Sequence, residues 1–122
     1  MAICATLLVG ALAGCGAESN SAAPADCTPV AGNKVTLIAE NIQWNTKCLK
    51  VKAGIAITFT VLLKDEGVKH DLQIFGNGSE KKQTPLEAGP KTQTLVFTFP
   101  TAGYYQYVCT IHSNMEGAIY AV

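Results

Sequence analysis

A chain of 122 residues that is 48% hydrophobic and 15% charged, with eleven Gly and five Pro, suffices for one small globular domain with a short appendage and is too short for two. Its nine cationic side chains are all Lys and balance nine Asp and Glu to a net charge of zero, leaving no basic field for a phosphate backbone and excluding nucleic acid as a partner. No apolar run reaches the ~18 residues that a membrane-spanning helix requires.

The leader is the first element. Residues 1–14 carry no charge, and Ala2 to Gly14 (AICATLLVGALAG) reads as the apolar core of an export signal, so the protein is expected to work outside the cytoplasm. The junction Leu12-Ala13-Gly14-Cys15 resembles a bacterial lipobox. That resemblance implies cleavage before Cys15, diacylation of its thiol, and anchoring to a membrane by two acyl chains. The alternative is an ordinary secretory signal cut at a nearby small residue, and the leader lacks the Lys or Arg that usually precedes such a core. Residues 15–29 are assigned to a flexible tether, since Gly16 to Asp26 (GAESNSAAPAD) is small, polar and low in β-branched or aromatic residues. The fold is expected to begin near Cys27 to Lys34, and the domain is assigned to residues 30–122.

From Val35 onward, short apolar runs alternate with period two between turn signals, the pattern of strands. Seven strands are expected, over Val35–Ala39, Leu49–Val51, Ile55–Leu62, His70–Phe75, Thr94–Phe99, Tyr104–Cys109 and Gly117–Val122. Ala53-Gly54, Asp65-Glu66-Gly67, Gly76-Asn77-Gly78, Ala88-Gly89-Pro90 and Pro100 to Gly103 supply the turns. Seven short strands in about 90 residues point to an all-β Greek-key sandwich of seven to eight strands. The connection from Ser79 to Pro90 has room for a helical turn, limited by Pro85, Gly89 and Pro90.

Side-chain parity sorts the faces. Ile57, Phe59 and Val61 share one face, as do Leu95, Phe97 and Phe99, so these stripes form the core. His70 has the parity of Leu72 and Ile74, and Cys109 that of Tyr105 and Tyr107. A histidine at the start of one strand and a cysteine at the end of another therefore lie on core-facing stripes. If those strands are antiparallel neighbours, the two residues emerge at the same end of the sandwich.

After Cys109 the run Thr110-Ile111-His112-Ser113-Asn114-Met115 places Cys, His and Met at intervals of three, and the chain's other His is His70. One thiolate, two imidazoles and one thioether make the ligand set of a blue-copper site, a trigonal Cys and two His with a weak axial Met. Sulfur donors stabilise Cu(I), imidazole serves both oxidation states, and thioether is a poor ligand for Zn(II) or hard cations. Taken singly, a strand-end His is more often a satisfied residue, an exported Cys more often half of a disulfide, and a Met more often packing. The conjunction reverses that weighting, because both histidines and the one Met beyond Met1 fall within it.

At these residues the sequence resembles the small blue-copper proteins, the cupredoxins, over about Val30 to Val122. The resemblance runs through Lys50-Val51-Lys52-Ala53-Gly54, Gly67-Val68-Lys69-His70-Asp71, Gly103 to Cys109, and Met115-Glu116-Gly117, and the Cys-x2-His-x2-Met loop is similar to that of the amicyanins. It implies one type 1 copper ion held by His70, Cys109, His112 and Met115, with His112 reaching the surface beside Ile111 to pass electrons to a partner. The family usually has Asn after its first ligand histidine, where the side chain ties the two ligand segments together; this chain has Asp71. With Cys4 leaving in the signal, Cys15 lipidated and Cys109 on copper, Cys27 and Cys48 remain as a pair in an oxidising compartment, and a disulfide between them is expected.

The resemblance implies a one-electron carrier, not an enzyme: a monomeric lipoprotein on the outer face of the cell membrane or in the periplasm, serving membrane-associated cytochromes or oxidoreductases. A copper-delivery protein is the alternative, although it would favour an exchangeable Met- or His-rich surface. A binuclear oxidase-type copper domain needs a second cysteine in the loop, a multicopper oxidase or nitrite reductase needs further histidines, and a metal-free adhesion sandwich leaves the conjunction unexplained.

Overall fold

The computed structural model describes residue 24 and residues 26–76 and 80–122. The export segment, Cys15, most of the tether and the turn residues Asn77 to Ser79 lie outside the described residues. Twelve short strands follow in chain order among the described residues: β1 (Thr28–Pro29), β2 (Lys34–Glu40), β3 (Gln43–Trp44), β4 (Cys48–Val51), β5 (Ala56–Leu63), β6 (Lys69–His70), β7 (Gln73–Phe75), β8 (Lys81–Gln83), β9 (Glu87–Ala88), β10 (Lys91–Thr98), β11 (Gly103–Cys109) and β12 (His112–Ala121). One sheet has the order β1-β4-β12-β11-β7-β8 and the other β10-β5-β2-β3, with β6 and β9 forming a separate two-stranded ladder. The pairs β1/β4, β4/β12 and β2/β5 are parallel, and the rest antiparallel.

The core lies between the two sheets, where the parity of the strands is realised. Ile57, Phe59 and Val61 of β5, Phe97 of β10 and the adjoining Phe99 meet Leu49, Tyr107 and Ile119 of the opposite sheet, all 1% exposed or less. Edge-on ring contacts bridge the layers, Phe99 to Tyr105 and Trp44 to Tyr107. Gln93 carries the same parity as Phe97 and is also buried, and its amide nitrogen donates to the Pro85 carbonyl at 2.7 Å.

Three features depart from the sequence expectation. The run expected as one strand from His70 to Phe75 breaks at Asp71 and Leu72, because Leu72 exchanges its backbone bonds with Thr84 instead of a ladder partner. The connection to Pro90 holds no helical turn among its described residues: β8 extends the sheet beside β7, and β9 pairs with β6. Finally, β1 occupies the last two residues of the stretch assigned to the tether.

The reason for the early start is the Cys27–Cys48 disulfide, which the structure contains, with the two Cα atoms 4.7 Å apart. It fixes Thr28 and Pro29 beside Leu49 and Lys50. Closing a loop over a sequence separation of 21 is worth about 3 kcal/mol in the chain-entropy picture. The double variant Cys27→Ser/Cys48→Ser is accordingly expected to lose about that much in a denaturant titration. A loss near zero would mean that the ladder alone holds the segment.

Candidate metal centre

The site is built where three chain segments converge. Gln73 of β7 pairs with Val108 of β11 in antiparallel register, and the break at Asp71 and Leu72 then lets His70 reach Cys109. Strand β12 then returns from a two-residue turn, with His112 opposite Cys109. The next pair is Val108 with Glu116, so Ser113, Asn114 and Met115 form a bulge on β12 alone. Through that bulge one strand brings both His112 and Met115 to the end of β11. In an unshifted register Met115 would oppose Cys109, and its side chain is fully buried.

His70, Cys109 and His112 present ligand atoms that all lie within 4.8 Å of one another. Cys109 Sγ is 3.9 Å from His70 Nδ1 and 3.5 Å from His112 Nδ1, and the two rings are 4.9 Å apart between centroids. His70 is wholly buried, Cys109 is 4% exposed, and His112 is partly exposed beside Ile111, which is 51% exposed. The structure thus brings together the three expected strong donors and leaves Ile111 exposed next to His112.

Electrostatics around the thiol are set first by burial. Burial pushes the Cys109 thiol above its ordinary pKa, the charge of Asp71 acts in the same direction, and hydrogen bonds from the N–H groups of Asp71 and Ile111 oppose both. A thiol held protonated must lose its proton to become a metal ligand. Copper uptake at pH 7 is therefore expected to release about one proton from Cys109 and to weaken about tenfold per pH unit on acidification. Calorimetry in buffers of different ionisation enthalpy counts the proton, and a count of zero would mean that Cys109 is not taken up as thiolate.

Asp71 stands where the resemblance expected a tie between the ligand segments, and it makes one. Its carboxylate accepts from the Thr110 backbone N–H at 2.7 Å and from the Thr110 hydroxyl at 2.6 Å. An Asn could make both bonds by accepting one and donating the other, but without the charge. Asp71→Asn is expected to preserve the tie and raise the reduction potential by some tens of millivolts, on the order of 59 mV for a differential of about 1.4 kcal/mol. Redox titration of the two proteins checks this, and an equal or lower potential in the variant would refute it.

The sequence reading missed Asp65, which it placed in a turn. Its Oδ2 lies 2.8 Å from His70 Nε2, while Oδ1 and Oδ2 accept the N–H groups of Asn41 and Ile42 at 2.7 and 2.9 Å. Burial works against its ionisation, but the Ile42, His70 and Asn41 hydrogen bonds outweigh it and hold the carboxyl below its ordinary value. An accepting carboxylate requires the His70 proton on Nε2, which leaves the Nδ1 lone pair facing Cys109. No local motif signals this partnership, because its other members come from the distant β2–β3 turn.

A thiolate, an imidazole and a buried thioether on one bulged hairpin, with the His70 imidazole brought in by β6, form a donor set that fits copper and suits neither Zn(II) nor a hard cation. Comparisons with known proteins agree. The family profile of the copper binding proteins, plastocyanin/azurin family, matches residues 31–121. Amicyanin-alpha of Methylorubrum extorquens is 31% identical over 120 residues, covering 97% of this chain and 91% of the relative. The reduced auracyanin of Roseiflexus castenholzii superposes with a TM-score of 0.69 at 18% identity, covering 76% of this chain and 99% of that one. The reduced Cu(I) form of an amicyanin point mutant gives 0.58 at 25% identity, over 76% of this chain and 86% of its own. The chain belongs to the plastocyanin/azurin family of copper-binding proteins, with a type 1 site as its cofactor centre.

Proposed function

We propose that the protein is a one-electron carrier and not an enzyme, exported and held to the outer face of a membrane through Cys15, where it serves as a monomer between redox proteins such as membrane-associated cytochromes or oxidoreductases. The observation that carries the redox reading is the closed, preorganised donor set, in which both Nδ1 atoms already face a buried Cys109 sulfur. Bound copper supplies a reversible Cu(II)/Cu(I) couple. The chain's own residues supply the rest. Asp65 fixes the His70 tautomer, Asp71 locks the turn after Cys109, and two backbone N–H groups meet the sulfur, so the donors need little rearrangement between oxidation states.

His112 and Ile111 are the part of the centre that reaches the surface, and they are assigned as the port for the partner. Burial of His70, Cys109 and Met115 favours a carrier over copper delivery, since an exchangeable site keeps its donors accessible. The export and anchoring part rests on the sequence of residues 1–15 alone. The absorption spectrum of the oxidised, copper-loaded protein tests the redox reading. Intense thiolate charge transfer in the visible, lost on reduction, is the expected result, and a colourless Cu(II) protein would refute it. Mass spectrometry of the membrane fraction tests anchoring, through a mature N-terminus at a diacylated Cys15.

A further inference from the structure

The turn between β2 and β3 is strained. Asn41 and Ile42 have φ of 56° and 54°, a left-handed pair that Asn tolerates and a β-branched residue resists. The strain persists because both faces of Ile42 are held by groups that belong to the metal centre. Its N–H donates to Asp65 Oδ2 at 2.9 Å, the same oxygen that meets His70 Nε2. Its carbonyl accepts the Asn114 side-chain N–H at 2.6 Å, and Asn114 stands between His112 and Met115 in the β12 bulge.

Asp65 has little freedom to give way. Its other oxygen takes the Asn41 N–H at 2.7 Å, and its backbone carbonyl lies against Gly89, where an added Cβ would come within 2.5 Å of it. His70 on one side and the ligand bulge on the other are thus joined through a turn of the opposite sheet, by a route separate from the Asp71 to Thr110 tie.

We propose that the Asn41–Ile42 turn is a clamp on the copper centre, with Asp65 and Asn114 as its positioning residues: it holds His70 and the His112–Met115 bulge at a fixed separation, so that opening it at either end loosens the bound ion. The ends act in series. Cutting one leaves the other with nothing to brace against, so the loss from both cuts equals the loss from one. The inference rests on the ligand assignment above and is independent of the electron partner.

The test is a double-mutant cycle on copper-loaded, reduced protein, reading the rate of Cu(I) release to a Cu(I)-selective chelator. Asp65→Asn and Asn114→Ala are each expected to speed release about tenfold, within the range for disrupted outer ligand partners, and the double variant also about tenfold. A hundredfold effect in the double variant would show two independent supports and overturn the clamp, as would single variants that release copper at the wild-type rate. Wild-type protein that takes up no copper would overturn the ligand assignment and the clamp together. A measurement without variants covers the case in which they fail to fold. In wild-type protein, amide exchange at Ile42 is expected to slow at least tenfold on Cu(I) loading, because fixing His70 fixes Asp65. Equal exchange with and without the metal would overturn the clamp.

Discussion

Cys109→Ser is expected to abolish the intense visible absorption of the copper-loaded protein and to weaken Cu(I) retention by orders of magnitude. Cys109 is the one free cysteine among the described residues, so no other thiol there can replace it. A serine hydroxyl is a poor donor to Cu(I) and offers no sulfur orbital for charge transfer. The change costs the fold little, since the smaller side chain sits at the end of β11 and keeps the neighbouring backbone N–H groups in place. Absorption and copper stoichiometry read the outcome. A variant that keeps the band would place the chromophore elsewhere and defeat the assignment.

Gly117→Ala is expected to have the largest effect on stability. Gly117 pairs directly with Tyr107 across the β11/β12 ladder, and the tyrosine ring folds over it so closely that a Cβ would collide with the ring carbons and the phenol oxygen. The ring cannot move aside: it is fully buried, its hydroxyl donates to the Thr46 carbonyl, and the Trp44 indole packs edge-on against it. Burial raises the phenol pKa well above its ordinary value, so the donor keeps its proton. Overpacking at such a site costs about 3 kcal/mol, or ~15 °C in the melting temperature of a domain this size. Because the preceding residue, Glu116, pairs with Val108 beside Cys109, the displacement should also shift the visible band of the loaded protein. An unchanged melting temperature would mean that the ring is free to rotate out of the way.

Those two residues also mark what the sequence could and could not disclose. Cys109 was legible because donor chemistry and spacing are local: a thiol, an imidazole and a thioether in one short run specify a metal whatever surrounds them. The strands from β2 to β12 were legible where alternation is clean, as in Ile57, Phe59 and Val61, and lost where a run changes partner, as at Asp71 and Leu72. The edge pieces β1, β3, β8 and β9 carry no stripe of their own, and form because a disulfide, a turn or a neighbouring strand holds them. Asp71 could be placed from the resemblance alone. Asp65, Asn114 and the close seat of Gly117 under Tyr107 could not, since each depends on a contact between segments far apart in the chain.

The measurement that bears most directly on the carrier reading is coulometric cycling of the copper-loaded protein, with the visible band and the protein-bound copper followed together. One electron per protein is expected to remove the band, its withdrawal to restore it, and all copper to stay bound through repeated cycles, since His70, Cys109 and Met115 are buried and their geometry is fixed by the fold. Copper appearing in the filtrate on reduction would contradict that account and assign the centre to metal delivery.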